Sequence, residues 1–389
     1  MKISILTPDL SHNCFGRAYL LAKVLQRRYE VEIVGPCFQS KIWEPLARQD
    51  EVKLKIVPGY PPFYQSVWQM KAILKDISGD VIYASKPLLT SYGVGLTEKF
   101  FHQKPLVVDI DDWQMGFQKE ALEALSPMRK LKRFASSTLY FNSPGSYWNS
   151  LLGERLVGFA DEITVSNNFL KDKFGGTIVW HGRDTNAFDP KKFDGNHLRD
   201  KFGIPEDRKV VMFFGTPRPY KGIEGLIEAI SLLKDSRILL ILIGLGADSY
   251  SSKVEALIRN KLSDKQARLF GLQPFKKIPE FLVISDLVVI PQRRNLATIG
   301  QVPAKVFDAM AMAKPIIATR VCDLPEILDG CGWVVEPESP ENLAKAIQYV
   351  LDHRAEAEEM GWRAREKCVE RYSWDAMEEI LLDIFRKHE

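Results

Sequence analysis

The sequence is short of the residues that would announce a special chemistry. It has five cysteines, Cys14, Cys37, Cys322, Cys331 and Cys368, and no two stand at CxxC spacing. That pattern argues against a disulfide framework and a zinc site, and fits reduced thiols in a cytosolic chain. No apolar run reaches the ~18 residues that cross a bilayer. The run Ile3-Ser4-Ile5-Leu6 after Lys2 is too short for a secretory leader. Any membrane contact would therefore be peripheral. Charge of one sign is also scarce: 53 Lys and Arg stand against 50 Asp and Glu. Nothing in the bulk charge calls for a nucleic-acid partner. Internal repeats and low-complexity segments are absent.

What is present is ordinary globular composition, 46% hydrophobic over 389 residues, long enough for two domains with separate cores. Short β-branched runs alternate with longer amphipathic stretches. Met1–Thr7, Val31–Val34, Val52–Val57, Asp80–Ala84, Leu106–Ile110 and Glu162–Ser166 read as strands. Gly16–Tyr29 and Ser66–Ile77 read as helices. The alternation restarts after Pro190, with strands at Lys209–Gly215, Ile238–Gly244, Ala267–Phe270, Leu287–Ile290, Pro315–Thr319 and Gly332–Val335. Such alternation predicts mostly parallel sheets covered on both faces, here twice over. The hinge falls near His181–Pro190, where Gly182, Asp184, Asn186 and Pro190 break the periodicity.

Several strand ends carry residues suited to an anion. Phe213 to Gly222 runs from a strand through a turn holding Arg218 and Lys221 to a helix start. In open α/β sheets ligands sit beyond the carboxyl ends of strands, and a helix start with nearby cations suits a diphosphate. A solvated turn with two surface cations is the plainer alternative. Gly244 and Gly246 end the next apolar strand, and Phe270-Gly271-Leu272 ends a third, whose backbone could hold a base. A small-residue loop, Thr298 to Ala304, leads into a short helix bearing Asp308. Its amides could bind an anion, and Asp308 could accept from a ribose diol or pair with Lys305 or Lys314.

Laid end to end, these segments resemble the retaining glycosyltransferase family 4, the glycosyl transferases group 1. The family's G-R-L-x-x-x-K-G segment is matched by Gly215 to Gly222, and its GxG by Gly244 and Gly246. Its E-A-M-A-x-G-x-P-V-I-A-T is matched by Asp308 to Thr319, and its A-D-x-i-x-v-S by Ala160 to Ser166. The linker pattern p-N-G-v-D-t-x-x-F-x-P is matched by His181 to Pro190. The matches follow the family's order over nearly the whole chain.

The resemblance implies the GT-B fold: two Rossmann-like α/β domains facing across a cleft. Residues 1–184 would bind the acceptor, with residues 373–389 crossing back to them. Residues 185–372 would bind a nucleotide-sugar donor. Lys221 and Arg218 would grip the donor diphosphate, although the family's Arg position is Thr216 here. Asp308 would hold the ribose as the second acid of a Glu-x7-Glu motif. The first acid falls on Gly300, a departure from the pattern, while the amides of Gln301 and Val302 could still cradle phosphate. Gly16, in the loop Ser11–Arg17, would allow close approach of the donor phosphate or of the acceptor, and is counted with the donor-binding residues. Asp111 and Asp112, after Val107–Ile110, would orient the acceptor hydroxyl. The Asp109-Ile110-Asp111 string is read as not metal-binding, and no metal or other cofactor is expected. Retention would follow if the leaving diphosphate itself took the acceptor's proton, leaving the protein to position the partners and stabilise charge.

Met128 to Phe134 puts Arg129, Lys130, Lys132 and Arg133 in one short run, followed by Tyr140, Phe141, Tyr147 and Trp148. Cations beside aromatics suit an anionic membrane face, and also suit a plain solvated helix. The expected setting is the cytoplasm, with peripheral membrane contact over residues 128–148, and a role in cell-envelope or polysaccharide synthesis. The acceptor would be a glycan, a lipid-linked sugar or a small molecule. Two other readings stay open: a nucleotide-sugar epimerase of the same fold, and a non-catalytic binding or partner subunit.

Overall fold

A computed structural model describes residues 1–39, 41–123 and 125–389. The chain forms two compact units. The first comprises Met1–His181, Ile299–Val302 and Met377–Glu389, and the second Gly182–Thr298 and Pro303–Ala376.

The first unit holds seven strands: β1 (Lys2–Leu6), β2 (Glu30–Cys37), β3 (Lys53–Pro58), β4 (Val81–Ser85), β5 (Leu106–Ile110), β6 (Glu162–Val165) and β7 (Thr177–Ile178). Their order is β3-β2-β1-β4-β5-β6-β7, and every pairing is parallel. The apolar β-branched runs account for the strands, because only a sheet covered on both faces can bury such continuous runs. All five residues of β4 and of β5 are buried. The final helix, Trp374–Phe385, sends Phe385 edge-on against Tyr83 of β4, with ring centroids 5.3 Å apart.

The second unit has six strands: β8 (Lys209–Phe214), β9 (Ile238–Leu245), β10 (Ala267–Gly271), β11 (Leu287–Ile290), β12 (Ile316–Thr319) and β13 (Trp333–Val335). The order is β10-β9-β8-β11-β12-β13, again all parallel. All eight residues of β9 are buried, as a central parallel strand requires.

In both sheets the winding reverses once, between β1 and β4 and between β8 and β11. Crevices at such reversals are where doubly wound folds bind ligands. The structure differs from the sequence reading near the first strand. Ser11–Arg17 is not a loop throughout, because the first helix already begins at Cys14. The open side of Gly16 meets the Trp43 indole, 3.3 Å from where a Cβ would stand. Between β4 and β6 lie the helices Val94–His102, Gln114–Glu123, Pro127–Leu139 and Tyr147–Leu156 with the short turns Leu89–Gly93 and Val157–Phe159, of which the sequence reading offered only the basic run in Pro127–Leu139 as a helix.

Candidate functional site

At the reversal of the first sheet, β4 delivers Lys86 and β5 delivers Asp111 and Asp112. Lys86 is buried and adopts a left-handed backbone, φ 66°, right after the strand. Its Nζ donates to Asp111 Oδ1 at 2.5 Å and to Asp112 Oδ2 at 2.6 Å. Burial pushes the Asp111 carboxyl up to about 6, against the pull of Lys86. The same burial works against the Lys86 ammonium, but the two carboxylates outweigh it and hold the amine charged. Asp109 is spent elsewhere: Arg17 Nε and Nη2 donate to its two oxygens at 2.9 and 2.8 Å. The Asp109-Ile110-Asp111 string therefore faces two different cations. The Gln301 side chain belongs to this unit and donates to Asp112 Oδ1 at 2.7 Å.

Gly300 lies in the same place, its carbonyl accepting from the Trp113 amide at 3.3 Å. A Cβ at 300 would come 2.6 Å from Trp113 Cβ and 3.1 Å from the Phe169 ring. The position is glycine for a packing reason: no side chain fits without displacing Trp113. Val302 beside it is buried.

In the second unit, β8 ends at Phe214 and the chain turns at Gly215 with φ 105°. The next strand ends in the same way at Gly244, φ 107°, where a Cβ would stand 2.8 Å from the Gly215 carbonyl carbon. Only glycine allows both turns. Thr216 follows, and its carbonyl accepts from Lys221 Nζ at 2.6 Å. Arg218 is partly exposed; its guanidinium donates to the Pro217 carbonyl at 3.0 Å and lies 4.0 Å from Asp248. Asp248 caps the helix Ser249–Lys261, accepting from Tyr250 and Ser251 amides, and Ser251 Oγ accepts from the Gly246 amide at 3.1 Å. Leu272, after β10, is exposed. A hollow of about 340 Å³ beside Gly222 is walled by Glu224, Glu228, Glu336 and Glu338, which does not suit a diphosphate.

Asp308 is buried, but neither Lys305 nor Lys314 is its partner. Arg183 takes both carboxylate oxygens through Nε and Nη2. Lys314 instead donates to the Val283 and Ser285 carbonyls at 2.8 and 2.9 Å. The expected ribose acid is thus already engaged in a two-point pair.

Sequence reasoning missed Lys86 and Lys305. Lys305 is buried, with Nζ 3.7 Å from the centre of the Phe213 ring. No group among the described residues hydrogen-bonds that nitrogen. Burial drives its pKa well down, Lys221 adds repulsion, and Asp308 opposes both. A lysine in a loop-to-helix segment looks ordinary in sequence. Only folding shows that it is buried.

Residues 194–367 match the model of the family glycosyl transferases group 1. A Pseudomonas aeruginosa protein named probable glycosyltransferase WbjE is 31% identical over 157 residues, 38% of each chain. The chain thus spans less than half the length of the first curated relatives it matches. Among solved structures, sucrose-phosphate synthase from Thermosynechococcus elongatus superposes with a TM-score of 0.77 at 15% identity, covering 100% of this chain and 98% of that one. Anabaena HepE, solved in complex with UDP-glucose, gives 0.76 at 18% identity and covers both chains fully. The chain therefore has the GT-B fold, built from two Rossmann-like units.

Proposed function

We propose that this protein is a glycosyltransferase, moving a sugar from a nucleoside-diphosphate sugar to an acceptor hydroxyl with retention at the anomeric carbon. The observation that carries the reading is the match of residues 194–367 to the group 1 glycosyltransferase model, in a segment whose first strand ends at a glycine turn with two cations. HepE with UDP-glucose bound supports a nucleotide sugar as donor.

In this reading the second unit holds the donor. Lys221 and Arg218 meet the diphosphate, and side-chain cations supply the countercharge without a metal. The turns at Gly215–Thr216 and Gly244–Gly246 let phosphate approach backbone, and Leu272 flanks the base. Asp308 positions Arg183 and reaches a ribose only by yielding part of that pair. The amides of Gln301 and Val302 serve the donor phosphate, and no acid at 300 contacts the sugar. The first unit takes the acceptor, a glycan, lipid-linked sugar or small molecule, at the ends of β1 and β5 near Gly16. Asp111 and Asp112 orient its hydroxyl, and the departing diphosphate accepts the proton. No general base is then needed, and the protein acts by positioning and by stabilising leaving-group charge.

Peripheral membrane contact belongs to the same proposal. The helix Pro127–Leu139 buries only Ser137 and exposes Met128 and Leu131 among its cations. A nearby apolar hollow is lined by Phe63, Phe141, Trp148 and Leu152, with Arg155 at its side. Among the described residues no helix is long and apolar enough to cross a membrane.

The test is a thermal-shift screen of uridine, guanosine and adenosine diphosphate sugars. At least one should raise the melting temperature, and Lys221→Ala should abolish the rise. Silence with every donor would remove the reading. Proton NMR of the product's anomeric coupling decides retention, and flotation with anionic vesicles decides membrane contact.

A further inference from the structure

The second sheet reverses between β8 and β11, and both strands lead to buried polar groups that lack partners. After β11, the Gln292 amide is buried, and neither its oxygen nor its nitrogen is hydrogen-bonded among the described residues. Against β8 lies the Lys305 amine. An unpaired buried polar group costs stability, and native proteins keep few of them. Two at one strand reversal leave hydrogen-bonding capacity there that a polar ligand could use.

The surroundings of Lys305 say which ligand. Its Nζ stands 3.2 Å from where a Gly215 Cβ would be, so the absence of that side chain leaves the amine beside the turn. The Phe213 and Phe214 rings lie 3.7 and 5.7 Å away, and their faces attract a cation but supply no hydrogen-bond acceptor. The charged groups acting on it are Lys221, which repels, and Asp308, which attracts but is held by Arg183. Two amines at one glycine turn form half of an ion-pair site. The missing half is a compact group of high negative charge.

We propose that Lys305 is a further binding group for the donor's diphosphate. The inference rests on the donor reading above and extends it from the cations of the turn to a lysine on another element. In the empty protein burial, and then Lys221, push the amine's pKa well down, while Asp308 pulls the other way. A diphosphate beside Gly215 reverses that balance, because opposite charge at short range favours the ammonium form. Binding is then linked to protonation: one proton is consumed, and an ammonium–phosphate hydrogen bond replaces an orphan amine. The same linkage holds the site's charge down while it is empty, when two adjacent ammonium groups would repel.

The experiment is isothermal titration of the full chain with UDP, GDP and ADP in mildly alkaline buffers of different ionisation enthalpy. The nucleotide is already fully ionised there, so proton uptake reports on the protein. For the nucleotide that binds, the wild type should take up close to one proton. Lys305→Met should abolish the uptake and weaken binding roughly tenfold to a hundredfold. Lys305→Arg, always charged, should bind without uptake, which gives a second variant should the methionine form fold poorly. If the wild type binds a nucleotide and Lys305→Met binds it equally well with the same uptake, the role of Lys305 is overturned while the donor reading stands. If no nucleotide binds the wild type, both fall.

Discussion

The two units solve one topological problem with opposite electrostatics. Each is a parallel sheet that reverses once, and each puts ionisable side chains at that reversal. In the first unit the charges are closed among themselves: Lys86 joins Asp111 and Asp112, and Arg17 takes Asp109. In the second, Arg183 and Asp308 close one pair, but Lys305 has no hydrogen-bond partner among the described residues. A self-compensated cluster is stable when empty and offers a hydrogen-bonding surface. A buried amine with no hydrogen-bond partner is costly when the site is empty and is relieved by an anion. The difference suits a hydroxyl-bearing acceptor in one place and a diphosphate in the other.

The comparison breaks most sharply at Lys86. Lys86→Met leaves the buried Asp111 and the half-buried Asp112 without their cation and should cost roughly 3–5 kcal/mol at neutral pH, read by urea unfolding. The sign with pH is set by Asp111, whose pKa is already raised to about 6 and rises further once Lys86 is gone. The folded variant then binds a proton more tightly than the unfolded chain. Its stability is therefore greatest below the ordinary aspartate value and is lost as pH climbs through and beyond 6. A deficit that is the same in acid and at neutral pH would show that charge pairing is not its cause.

Gly300→Glu comes next. It pushes a side chain into Trp113 and Phe169, and overpacking of this kind costs about 1–3 kcal/mol. Melting temperature should fall and any transferase activity should not improve. Unchanged stability would mean that the Trp113 contact yields freely, and would reopen the position to an acid.

The smallest effect is expected at Lys305. Without nucleotide, Lys305→Met exchanges an orphan amine for an apolar chain of similar shape and should gain about 1 kcal/mol. A depressed lysine pKa means that the unfolded chain binds the proton that the folded one refuses. Wild-type stability then rises as pH approaches the ordinary lysine value of 10.5, and the variant's advantage shrinks over the same range. An advantage that does not change with pH would point to packing alone.

Sequence reading reached every strand but the two-residue β7, because most are apolar runs and such runs have few other homes. The glycine turn at Gly215 and its two cations were legible for the same local reason. Lys86 was not, because it meets Asp111 and Asp112 only through the pairing of β4 with β5. Nor was the partner of Asp308, since Arg183 lies 125 residues away. The helix Pro127–Leu139 was visible chiefly as a basic patch, since its apolar residues are mostly exposed.

The amino-acid order alone determined the alternation of strands and helices, its restart after Pro190, and the small residues at the strand ends. Those are local properties, set by side-chain shape and by which backbone angles a residue tolerates. Tertiary structure alone decided which charges are paired, which glycine is wedged against an indole, and which lysine is buried with no hydrogen-bond partner among the described residues. Charge and burial act through space, and neighbours in space are made by the folding of distant segments.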